Sequence, residues 1–149
     1  MDIVTRLEAS RDRTLRCFDL SGEQLALRYA PGKWSVKHLL HHLADAETVL
    51  YDRIRRAISE PKPVVWAFDQ DKWAASLNYE QMPLDVSRRI YEAVRAGVIY
   101  QARHHYDTSG HREFVHSETG IRTLKDEFDK VAWHNEHHLA QIETALKIS

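Results

Sequence analysis

"AWHNEHHLAQIETAL", residues 132–146, holds His134, His137 and His138 within five positions, and its apolar residues recur with a helical period. At 100° per residue, with Val131 as origin, Leu124, Phe128, Ile142, Ala145 and Leu146 fall within about 60° of one another's mean direction. They form one apolar stripe. His138 lies inside it at about −20°, and His134 lies on its inner edge at about −60°. His137 is on the flank at about −120°, and Trp133 is on the far side. Two imidazoles at i and i+4 on a core face sit about 6 Å apart along the axis, close enough to share one ion. Buried without partners, their nitrogens would be stranded, and a metal ion removes that cost.

The same reading locates three further helices. One is expected from Ile3 to Leu20. A second runs from Val36 to Ser59, capped by Ser35 and stopped by Pro61 and Pro63. A third runs from Pro83 to about Tyr106, with the proline in its first turn. The fourth is Leu124–Lys147, and Thr123 and Asp126 give it a capping-box-like start. The second connection, through "PKPVVWAFDQDKWAASLNYEQM", is too long for a simple bundle turn. Its Trp66, Phe68 and Trp73 either roof a pocket or pack over the bundle end. The third connection contains "REFVH", the one stretch with strand-like alternation. These elements predict an all-α four-helix bundle that is not simply up-down-up-down, filling residues 1–149 as a single domain.

On the second helix, with Leu39 as origin, His42 falls at about −60° and faces inward. His38 is on the flank, and His41 is expected to face outward. His42, His134 and His138 therefore form a candidate three-nitrogen metal set. Three protein ligands leave open positions for water and substrate, the pattern of a catalytic site. Imidazole suits zinc, nickel, copper and iron alike. Asp45, Glu47 and Gln141 flank the ligands by phase and are candidates to hold an imidazole tautomer or shuttle a proton. His105 reads as a helix-end residue, and His104, His111 and His116 read as loop or surface residues.

Other chemistries are excluded. "HNEHH" lacks the glutamate that follows the first histidine in HExxH, and Glu136 points about 140° from the stripe. Helix four has no Glu-x-x-His for a di-iron centre. Cys17 is the only cysteine, so no zinc ribbon and no internal disulfide can form, and a reducing, cytoplasmic setting is expected. The net charge of −1 gives no field to draw nucleic acid or an anionic membrane. The N-terminus has no apolar signal core, and no stretch reads as a membrane span.

"KWSVKHLLHHLADAE" (33–47) and "AWHNEHHLAQI" (132–142) resemble the two signature segments of the DinB/YfiT-like superfamily. "HHLADAE", "DQDKWA" and "REFVHSE", in that order, bring the likeness closer to its YfiT-like branch. The resemblance implies an up-down-down-up four-helix bundle. It implies zinc or nickel held by His42, His134 and His138, and frequent homodimers. It implies a metal-dependent hydrolase, or a thiol-dependent S-transferase using a low-molecular-weight thiol, acting on a small molecule. The alternative is a non-catalytic metal- or small-molecule-binding stress protein.

Overall fold

The structure is a computed structural model that describes residues 1–148; Ser149, the last residue of the expected domain, lies outside them. Its elements are α1 (Ile3–Cys17), α2 (Gly22–Leu25), α3 (Val36–Ser59), β1 (Val64–Val65), α4 (Gln70–Ser76), α5 (Leu84–His105), β2 (Glu113–His116), β3 (Gly120–Thr123) and α6 (Leu124–Ile148). The four long helices match the sequence reading, and the boundaries follow from local chemistry. Ser35 accepts the His38 amide hydrogen at 3.2 Å and opens α3. Thr123 and Asp126 exchange side-chain-to-backbone hydrogen bonds at 3.0 and 3.2 Å and open α6. The first helix ends at Cys17, earlier than expected. Ser21 and Gln24 form a capping box of their own and start the short α2 instead.

Side-chain pairs give the direction of each helix. Arg6 meets Glu136 and Arg13 meets Glu143, so numbers rise together and α1 runs parallel to α6. His41 meets Ser87 and Glu47 meets Arg95, so α3 runs parallel to α5. Arg103 reaches Glu8 while Arg88 reaches Asp19, so α1 and α5 are antiparallel. The bundle is therefore up-down-down-up. Both α1 and α3 pack against α5 and α6. At Gly97 α5 passes close to α3: a Cβ there would stand 2.6 Å from the Tyr51 hydroxyl oxygen.

The two long connections meet in a three-stranded sheet, β1-β2-β3, at the α3 C-terminal end. β1 pairs parallel to β2, and β2 pairs antiparallel to β3. "REFVH" supplies β2, as its alternation indicated. Because α3 and α5 run the same way, residues 66–83 must then travel back along the bundle to begin α5.

The core is in two parts. Leu7, Leu50, Ile54, Val98, Phe128 and Val131 fill the sheet end. Phe18, Leu39, Leu43, Tyr91, Ile142 and Ala145 fill the other. Between them every long helix contributes polar groups: Ser10 and Thr14, Glu47, Arg95, and Asn135. The three candidate ligands lie at this level, on the side where α3 faces α6. Among the described residues no helix is long and apolar enough to cross a membrane.

Candidate metal centre

His42 comes from α3, and His134 and His138 come from successive turns of α6. His134 Nε2 lies 3.0 Å from His42 Nε2 and 3.2 Å from His138 Nε2. One ligand atom from each of the three lies within 4.8 Å of the others. Nitrogens about 2.0–2.1 Å from a tetrahedral ion are separated by about 3.3 Å, close to this spacing.

Burial pushes the His42 imidazole down to about 3, and the neighbouring His138 adds to the effect. Burial likewise pushes His134 down to about 2, with His138 and His42 adding to it. His138 is lowered too, chiefly by burial and partly offset by Gln141. All three rings are neutral near pH 7. Gln141 fixes one tautomer: its Oε1 lies 2.7 Å from His138 Nδ1, while its Nε2 lies 3.4 Å from His137 Nε2. The amide group donates toward His137 and accepts from His138, so His138 Nε2 carries a lone pair. His134 would then need a single N–H to serve both His42 and His138. One cation satisfies all three lone pairs together, so the donor set fits a metal ion. His42 Nδ1, on the opposite edge of its ring, is buried without a hydrogen-bond partner.

The return segment covers this cluster. Phe68 stacks on His42 with ring centres 6.3 Å apart, and Trp73 packs on Phe68 at 4.7 Å. Trp34 also packs against His42, at 5.2 Å. Trp66 takes no part. It is 75% exposed, and only its carbonyl is engaged, accepting from Arg53 Nη2.

A scan against protein-family models matches residues 6–142 to the DinB superfamily. The chain belongs to the DinB superfamily. A relative from Oceanobacillus iheyensis, named "Putative metal-dependent hydrolase OB0413", is 33% identical over 127 residues, covering 85% of this chain and 73% of the relative. A second protein of that organism, "Putative metal-dependent hydrolase OB0782", is 35% identical over 129 residues, 87% of this chain and 74% of the relative. Among solved structures, YfiT from Bacillus subtilis, described as having "an unusual four-helix bundle topology", superposes with a TM-score of 0.88 at 24% identity. That match covers 98% of this chain and 85% of YfiT. It carries the superfamily's fold over nearly the whole chain.

Of the other candidate residues, Gln141 touches a candidate ligand, and Asp45 and Glu47 do not. Asp45 accepts from the Tyr79 hydroxyl. The Tyr79 ring packs against His41 and Trp34, so Asp45 anchors the far end of the return segment. Glu47 takes part in a separate buried network. Arg95, fully buried on α5, places all five N–H donors: on both Glu47 oxygens, Leu7 O, Ser10 Oγ and Asn135 Oδ1. Asn135 also accepts from Tyr91 and donates to Thr14. Asn135, read from the sequence only as a departure from HExxH, thus ties the ligand-bearing turn of α6 to α1 and α5.

Two histidines are placed otherwise than expected. His41 faces Ser87 at 2.6 Å and is fully buried, because Tyr79 covers the side of α3 that the phase left open. His116 is buried on β2, where its Nδ1 accepts from the Glu118 and Thr119 amides. His105 lies at the end of α5 beside Ser109, and exposed His137 stacks on Trp133.

Proposed function

We propose that this chain is a metal-dependent hydrolase of a small molecule, with His42, His134 and His138 holding zinc or nickel. The convergence of three neutral imidazole Nε2 atoms in a buried cluster carries the reading. Membership of a superfamily whose relatives bear metal-dependent hydrolase names agrees with it. A divalent cation held by these three histidines would supply Lewis acidity, lowering the pKa of a water or thiol and polarising a carbonyl. The protein supplies the rest. His42, His134 and His138 hold neutral donors in place, and Gln141 Oε1 keeps the His138 proton on Nδ1. Phe68, Trp73 and Trp34 exclude bulk water from one side, which strengthens every electrostatic contact within. We also take residues 1–149 to be one domain, since both halves of the core draw on the long helices.

The test has two arms. His42→Ala and His138→Ala are expected to lose stoichiometric metal by elemental analysis; full retention overturns the ligand set. The loaded protein is then offered ester and amide substrates, and separately a low-molecular-weight thiol with an electrophile. Hydrolysis without added thiol supports this reading. Turnover only with thiol makes the chain a thiol transferase. No turnover in either makes it a binder.

A further inference from the structure

Among the described residues the bundle contains two buried arginine–glutamate pairs, and they differ in one respect. Arg95 and Glu47 satisfy each other and the groups around them. The second pair, Arg53 of α3 and Glu127 of α6, does not. Its closest approach is 3.6 Å, too long for a hydrogen bond, although Glu127 is only 2% exposed. Arg53 spends Nη2 on the Trp66 carbonyl. Glu127 Oε1 is buried and accepts no hydrogen bond. Burial raises the Glu127 pKa; the charges of Lys130, Arg53 and Arg122 and the long Arg53 contact oppose that only in part. A buried carboxylate oxygen that accepts no hydrogen bond is costly, so its persistence calls for an explanation.

Glu127 lines a cavity of about 430 Å³ between α6 and the β2–β3 hairpin. That volume lies within the usual range for a small-molecule site. The same cavity is lined by His116, Arg122, Lys130 and Trp133, and by Asp126 and Asp129, which already accept from the Thr123 amide and the Tyr106 hydroxyl. Among the described residues, neither Lys130 nor Arg122 forms a side-chain hydrogen bond or salt bridge. His116 accepts two amide hydrogens at Nδ1, so the proton of its neutral ring sits on Nε2 and is free to donate. The cavity thus places the Glu127 carboxylate, which lacks a hydrogen bond at Oε1, beside two cations that make no side-chain hydrogen bond and a neutral donor, with Asp126 and Asp129 already engaged elsewhere. Lys130 is one turn, and Glu127 two turns, or about 10 Å, from His134 along α6.

We propose that this cavity binds the zwitterionic head of an α-amino acid, with its ammonium group on Glu127 and its carboxylate on Lys130 and Arg122. Trp133, 59% exposed at the rim, covers the aliphatic part of the head. The head belongs to a substrate whose remainder extends about two helical turns to the histidines. Only that last step rests on the proposed hydrolase reading; head-group binding does not require it.

The probe is norleucine, titrated into the full chain by calorimetry while the His116 ring is followed by NMR. Hexylamine and hexanoate each carry half of the head. Norleucine is expected to bind and shift His116, and each half-probe to bind at least about tenfold more weakly. Glu127→Gln, which keeps the shape of the side chain, and Lys130→Met, at a half-exposed position, are each expected to weaken norleucine about tenfold or more. His42→Ala separates the two readings: it should lose metal and still bind norleucine. Equal binding of norleucine by Glu127→Gln and the parent overturns the proposal. So does hexanoate binding as well as norleucine, which would make the cavity an anion site. Loss of norleucine binding in His42→Ala also overturns it, by moving the head onto the metal.

Discussion

Gln141 decides which nitrogen His138 presents. Without its Oε1 the His138 ring can place its proton on either nitrogen and can rotate. Loss of such a partner typically costs 10–100-fold in metal affinity. Gln141→Ala is expected to do so with little change in melting temperature, measured by competition with a chelator; unchanged affinity would remove Gln141 from the centre. The histidines also set an acid limit on the metal-free chain. Burial holds His42 at about 3 and His134 at about 2 when folded, against about 6.5 in an unfolded chain. Below pH 6.5 the unfolded chain takes up protons that the folded chain refuses. Stability is therefore complete above that pH and falls as pH drops toward 3. The loss is about 1.4 kcal/mol per pH unit for each such histidine. Denaturant midpoints of metal-stripped protein should fall steadily from pH 6.5 to pH 5, and His42→Ala should flatten the slope. A profile as steep in the variant as in the parent would contradict this assignment.

At the scale of elements, the Arg95 network binds four helices through one guanidinium. Glu47→Ala would leave that charge buried and uncompensated, a loss of about 3–5 kcal/mol. Asn135→Ala removes one acceptor and one donor and should cost about 1–3 kcal/mol. Breaking the exposed Arg13–Glu143 pair should cost less than about 1 kcal/mol. Urea unfolding of the three variants checks the order, and a Glu47→Ala loss no larger than that of the surface pair would refute the role given to Arg95. The sequence discloses α3 and α6 almost to the residue, because Ser35, Pro61, Thr123 and Asp126 act locally. It discloses the inward histidines because phase against a stripe is also local. It misplaces His41 and leaves Glu47 among the ligand-flanking groups for one reason. Phase is measured from a single apolar stripe, whereas α3 is covered by α5, α6 and the return segment. Arg95 sits in line with Tyr91 and Val98 on α5, and that anomaly was readable. Its partners were not, since Glu47 and Asn135 lie 48 and 40 residues away.

At the scale of the whole molecule, the roof over the histidines follows from helix direction. Phe68→Ala with Trp73→Ala should leave the bundle folded and speed metal release to a chelator, since both side chains are only half-buried. Release no faster than in the parent would mean that the segment does not shield the centre. The parallel course of α3 and α5 also sets a minimum length for the chain between them. The 24 residues of α3 rise about 36 Å, which takes about eleven extended residues to retrace. Residues 60–83 exceed that, and the slack is coiled into α4. Deleting α4 should therefore strip part of the roof and keep the topology. Shortening the segment below about eleven residues would leave α5 able to enter the bundle only in reverse. Arg95 would then be carried away from Glu47, and Ser87 away from His41. The length of one connection thus acts as a switch between two bundles, and only one of them assembles the present polar layer.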